Sequence, residues 1–274
     1  MQVAITANHR HFDIEVEWVG VADPAAPLLV FLHEGLGSVA MWKDFPERLC
    51  QACGLRGLVY SRPGYGRSTP RPANEHWGLD FMHIQARQVL PALLDALGVQ
   101  GRYCLFGHSD GGSIALVHAA HALERVSAVI VMAPHILVEE FGLISIREAR
   151  NLYASGTLRQ GLAKYHDDVD SAFWGWNNIW LAPEFPQWQI TSELKHIRAP
   201  VLAIQGLDDP YGTLAQIDGI ASAVGNTRLI KLAACGHSPH RDQPEQVTAA
   251  VQAFIQNTVQ QTVPQTAPQE TTPP

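Results

Sequence analysis

LFGHSDGGSIALVHAA, residues 105–120, holds an apolar run that stops at Gly107, His108 and Ser109, then Asp110, Gly111 and Gly112, then a small-residue stretch of helical character. A strand that turns sharply into a helix lifts the side chain at the tip out of the backbone and aims it at a ligand. The pentapeptide Gly107-His108-Ser109-Asp110-Gly111 has the form G-x-S-x-G, in which the small residues two before and two after let neighbouring chain approach closely. The helix that follows presents free N–H groups and a positive dipole end to developing negative charge. Ser109 is therefore the candidate nucleophile. The alternative is a glycine-rich turn in which the serine is incidental.

Outward from this turn, other stretches share its form. Pro27–Gly35, Gly57–Gly64, Arg102–Ser109, Val126–Pro134, Pro200–Asp209 and Asn226–His237 are short apolar runs that end in Gly, Pro or a polar cluster. Continuous apolar runs of this length suit strands buried on both faces. Helical patterns lie between them, so the predicted fold is α/β, with a mainly parallel sheet flanked by helices. In such sheets ligands sit at the carboxyl ends of the strands, where the polar run-ends converge.

A serine hydroxyl is a weak nucleophile without a base. His237 follows the last run, in AACGHSPHRDQPE, and Asp208 and Asp209 follow the run before it, in IQGLDDPYG. The order Ser, Asp, His is that of the α/β-hydrolase triad. Over roughly residues 16–257 the chain resembles the α/β-hydrolases, on the strength of these motifs in this order.

The resemblance implies that the acid stands three residues after the glycine closing its strand. That selects Asp209, counted from Gly206, over Asp208. It also selects His237 over His240, which is expected at the solvated surface. In LHEGLGS, residues 32–38, the family commonly has His-Gly followed by a variable residue. Carried over, the oxyanion donors are the backbone N–H groups of Gly35 and Asp110. Glu34 departs from the pattern by standing where Gly is usual, and is either a pocket acid or an ion-paired one. In SRPGYGRS, residues 61–68, Arg62 and Arg67 are expected to brace loops.

Residues 134–193 break the alternation with three helical stretches, at GLISIREARNLYASG, TLRQGLAKYH and VDSAFWGWNNIWLA. The segment is too long for a loop and is expected to be a helical lid inserted into a core of residues 1–133 and 194–257. It carries four of the seven tryptophans, of which Trp174, Trp176 and Trp180 are candidate pocket residues. Most aromatics of the segment are expected to pin it down. Residues 258–274, rich in Pro, Gln and Thr, read as a disordered tail.

Composition narrows the rest. The 274 residues are 46% hydrophobic and 16% charged, with a formal net charge of −7. No Lys/Arg-rich run points to nucleic acid. No basic-then-apolar start reads as a signal peptide and no apolar span is long enough for a membrane helix, so the expected location is cytoplasmic. Cys50 and Cys53 form a CxxC without a second ligand pair, and read as one face of a helix end. In KYHDDVD, residues 164–170, an acid cap at Asp167 or Asp168 is preferred to a metal cluster. No metal and no cofactor are expected; the expected partner is a small-molecule substrate, and a homodimer is compatible with the sequence.

The leading functional reading is a serine hydrolase of ester or related acyl bonds in a small, largely apolar molecule. The same triad serves carbon–carbon bond hydrolases of the meta-cleavage type. A reading of another class is a ligand-binding protein on the hydrolase fold whose catalysis has decayed.

Overall fold

The computed structural model describes residues 1–258. Eight strands, β1 (Gln2–Ala7), β2 (Arg10–Gly20), β3 (Leu28–Leu32), β4 (Arg56–Tyr60), β5 (Tyr103–His108), β6 (Val126–Met132), β7 (Val201–Gly206) and β8 (Thr227–Leu232), form one sheet. Its order is β1-β2-β4-β3-β5-β6-β7-β8. From β4 to β8 every pairing is parallel, and β2 is antiparallel to both its neighbours. The apolar runs read from the sequence become the parallel strands. The hairpin β1–β2 was not among those runs. Its burial alternates along the chain, as befits strands with one wet face. Asn8 and His9 at its turn take φ of 49° and 60°, the left-handed region that two-residue hairpin turns require.

The helices are α1 (Phe45–Cys53), α2 (Phe81–Ile84), α3 (Leu90–Ala96), α4 (Asp110–Ala119), α5 (Glu140–Ala154), α6 (Thr157–Leu162), α7 (Val169–Trp180), α8 (Thr191–Leu194), α9 (Ala215–Ala223), α10 (Pro239–Asp242) and α11 (Pro244–Thr258). Successive strand residues face opposite sides of the sheet, so the strands feed two cores. Leu29 and Phe31 of β3 join Phe106 of β5, Leu49 and Cys50 of α1, and Val251 and Ile255 of α11 on one face. Leu28, Val30 and Leu32 of the same strand join Leu105, α3 and α4 on the other. α4 is buried along its whole length, which explains its lack of a polar stripe.

α5, α6, α7 and α8 lie in the chain between β6 and β7. Asp168 caps α7, its side chain accepting the Ser171 N–H at 2.8 Å. Cys50 and Cys53 are free and buried on α1, and burial pushes the Cys53 thiol up to about 11. Thr258, the first residue of the expected tail, closes α11; residues 259–274 lie outside the described part of the chain.

Candidate active site

Ser109 sits between β5 and α4 with φ 52° and ψ −120°. A non-glycine residue is strained there, and the surroundings hold it in place. A Cβ on Gly107 would collide with the Gly111 carbonyl, and one on Gly111 with the carbonyls of Leu32 and His33. The two glycines therefore let α4 start hard against β3 and β5. The Ser109 N–H donates to Met132 O on β6 at 2.9 Å, which fixes the turn to the neighbouring strand.

The strand ends deliver the other groups. His237 Nε2 lies 2.9 Å from Ser109 Oγ, and His237 Nδ1 lies 2.9 Å from both carboxylate oxygens of Asp209. Asp209 is buried, and accepts from Gln205 Nε2 at 2.7 Å and from the Tyr211 N–H at 2.8 Å. Burial works to raise the Asp209 pKa, but the His237 bond and charge and the Tyr211 amide outweigh it and hold the carboxyl below its ordinary value. An ionised Asp209 then places the His237 proton on Nδ1 and leaves Nε2 to accept the serine proton. Asp208 is exposed.

Gly35 and Asp110 both line a cavity of about 240 Å³ that also holds Ser109 and His237. Among the described residues, neither the Gly35 nor the Asp110 N–H has a hydrogen-bond acceptor in the protein. A hydroxyl backed by an imidazole and a carboxylate can attack a carbonyl, and two unengaged amides beside it can hold the charge that forms on the oxygen.

The remaining candidates divide. Trp176 and Trp180 of α7 line the cavity, and Trp180 Nε1 donates to Asp110 Oδ1 at 3.1 Å. Trp174 does not line it, which corrects the sequence reading. Its ring packs edge-on against Tyr153 and Phe173, with the Arg150 guanidinium 5.8 Å away. On a helix, residue 174 lies 200° from residue 176 and so faces away. Glu34 lines the cavity with one fifth of its side chain exposed, and Oε2 lies 3.6 Å from His108 Nδ1. Burial would raise its pKa; the His108 ring beside it outweighs that and holds the carboxyl well below its ordinary value.

His240 is buried rather than solvated, against Trp42, Phe45 and His108. Pro239 starts a helical turn that swings its ring inward. Sequence reasoning also missed His135 and Tyr211, both in the cavity wall. His135 follows β6, where Ala133 takes φ 46°. Its position three residues past a strand end was the available signal. Burial, reinforced by His237, pushes the His135 pKa down to about 3, so this ring is neutral.

The chain matches the family model described as the alpha/beta hydrolase family over residues 29–251. It belongs to that family, and on that ground is a hydrolase. Its sequence is 31% identical over 245 residues to the putative carbamate hydrolase RutD of Pseudomonas savastanoi pv. phaseolicola, covering 80% of this chain and 90% of that one. It is 27% identical over 260 residues to the polyketide synthase ThaQ of Burkholderia thailandensis, where it covers 82% of this chain but spans only 12% of that one. Among solved structures, a carboxylesterase of Nitrososphaera gargenis superposes with a TM-score of 0.75 at 19% identity, over 94% of this chain and 99% of that one. At that identity the likeness is one of fold. Among the described residues no group of three or more His, Cys, Asp or Glu could hold a metal ion, and no helix is long and apolar enough to cross a membrane.

Proposed function

We propose that the protein is a serine hydrolase that cleaves an ester or related acyl bond of a small, largely apolar molecule through an acyl-enzyme. The observation that carries this is the line Ser109 Oγ, His237, Asp209, each link 2.9 Å, ending in a cavity with two unengaged amides. Similarity to a putative carbamate hydrolase supports acyl chemistry.

Ser109 Oγ attacks the acyl carbonyl while His237 Nε2 takes its proton. Asp209 stabilises the imidazolium through Nδ1–H. The tetrahedral oxyanion is held by the Gly35 and Asp110 N–H groups, each worth about 3 kcal/mol. His237 then protonates the leaving alkoxide, and a water activated by the same ring releases the acid. No cofactor enters any step. Residues 134–193 act as a lid, contributing Ile146, Leu158, Leu162, Trp176 and Trp180 to the cavity wall. A cavity of about 240 Å³, at or below the small end of ligand pockets, favours a short acyl group.

The test is hydrolysis of p-nitrophenyl acetate with stopped-flow detection. A burst stoichiometric with enzyme, together with phosphonate labelling of Ser109 that is lost in Ser109→Ala, is expected. Turnover confined to vinylogous diketones would replace this reading with carbon–carbon bond hydrolysis. A folded chain that neither turns over substrate nor labels would be a binding protein.

A further inference from the structure

The proposed oxyanion site has an unusual wall. The residue after the nucleophile is Asp110, a carboxylate with 1% of its side chain exposed, whose Oδ2 has no hydrogen-bond partner. A buried negative charge one residue from a developing oxyanion opposes catalysis unless something compensates it. Trp180 supplies one neutral bond to Oδ1. The cation at hand is Arg62, itself 1% exposed, with Nη2 3.7 Å from Asp110 Oδ2.

The same Nη2 donates to Glu34 O at 2.9 Å. That carbonyl and the Gly35 N–H belong to one peptide unit, so whatever grips the oxygen aims the N–H. A second grip comes from His33. Its Nε2 accepts the Arg62 N–H at 3.0 Å, which puts the ring proton on Nδ1, and Nδ1–H donates to Glu34 O at 2.7 Å. The Gly37 N–H adds a third donor at 3.0 Å. Hydrogen bonds in series polarise one another, so a cation on the carbonyl strengthens the amide at the other end as a donor. Trp176 packs so closely on Gly35 that a Cβ there would overlap the indole. The peptide is thus clamped on one side by Arg62 and His33, and on the other by α7.

We propose that Arg62 is the positioning residue of the oxyanion site: its guanidinium, bonded to the Glu34 carbonyl and facing the Asp110 carboxylate, holds and polarises the Glu34–Gly35 peptide and offsets the Asp110 charge. Arg62 does not touch substrate. It acts through the two residues whose amides do. This rests on the acyl-hydrolase reading given above.

The experiment compares wild type with Arg62→Lys, Arg62→Gln and the double variant Arg62→Gln/Asp110→Asn, which buries no unpaired charge and keeps the Asp110 N–H. Readouts are kcat and KM for p-nitrophenyl acetate, the affinity of a boronic acid that forms a tetrahedral serine adduct, and inhibition by acetate, the product. In whichever variants fold, kcat is expected to fall about tenfold to hundredfold, less than or equal to the loss of a whole oxyanion donor. KM and acetate inhibition are expected to stay within about twofold, and boronate affinity to fall with kcat.

Unchanged kcat and boronate affinity in a folded variant overturn the proposal. So does parallel weakening of boronate and acetate, which marks general distortion of the cavity. Failure of all three variants to fold while Asp110→Asn alone retains wild-type kcat and boronate affinity would also overturn it, because the arginine would then be structural only. A wild type that turns over no ester would instead sink the reading of the site itself.

Discussion

Ser109 Oγ and His237 Nε2 stand 2.9 Å apart although 128 positions separate them in the chain. The parallel sheet brings them together: β5 and β8 end at the same edge, with Ser109 one residue past β5 and His237 five residues past β8. Asp209, at the end of β7 between them in the chain, completes the line from the far side of the imidazole.

That geometry distinguishes the two adjacent acids. Asp209→Asn is expected to reduce kcat by about 10⁴-fold, because an amide no longer fixes the imidazole tautomer. Asp208→Asn is expected to leave kcat within about twofold, since its side chain is exposed. Steady-state kinetics on p-nitrophenyl acetate check both; equal losses would contradict the assignment.

Substrate charge follows from the cavity wall. Among the described residues that line it there is no Lys or Arg, and the His108 ring holds the Glu34 carboxyl well below its ordinary value. A monoanionic ester such as monomethyl succinate is expected to have kcat/KM at least about tenfold below that of methyl butyrate, from charge repulsion at moderate dielectric. Glu34→Gln should narrow the gap. A gap equal in wild type and variant would remove Glu34 from substrate selection.

Two tryptophans two positions apart should behave differently. Trp176→Ala enlarges the cavity and is expected to shift preference from acetyl toward longer acyl esters, whereas Trp174→Phe should leave the chain-length profile unchanged. A p-nitrophenyl ester series from C2 to C8 reads this out directly.

Acid should destabilise the fold through its buried imidazoles. His118 is 2% exposed, with Nδ1–H donating to Ala86 O and Nε2 accepting the Tyr103 hydroxyl, each at 2.7 Å. Burial pushes its pKa from 6.5 down to about 4, and burial pushes His135 and His240 to about 3 and about 2. An imidazole held neutral this way adds stability that is whole above its unfolded value near 6.5. That stability is lost as pH falls toward the folded value, because only the unfolded chain takes the proton. Tm is therefore expected to drop steadily from pH 7 to pH 4, and less steeply in His118→Gln. A Tm level across that range would refute it.

The turn itself tolerates no side chain at its flanks. Gly111→Ala would drive a methyl into the backbone carbonyls of Leu32 and His33, where nothing flexible can yield. Destabilisation of several kcal/mol, or loss of soluble protein, is expected and is read from denaturant melts.

What the sequence by itself determined is local chemistry along the chain. Short runs apolar on both faces, alternating with helical patterns, suit strands covered by helices, and that pattern predicted the α/β sheet. The pattern G-x-S-x-G marks its own turn, because only glycine fits where backbone meets backbone. Resemblance in the order of motifs then singled out Asp209 and His237.

Tertiary structure decided what depends on direction. Trp174, Trp176 and Trp180 look alike in sequence, and only the placing of α7 sends the first away from the cavity and the other two into it. His240 reads as a surface residue until Pro239 turns it inward. The hairpin β1–β2, wet on one face, lacked the continuous apolar signal of the parallel strands. His135, Tyr211 and the grip of Arg62 on the Glu34 carbonyl arise where separate strand ends meet. Those contacts span gaps that no local pattern encodes, and the burial that lowers the pKa of His135 and His240 exists only once the chain has closed over them.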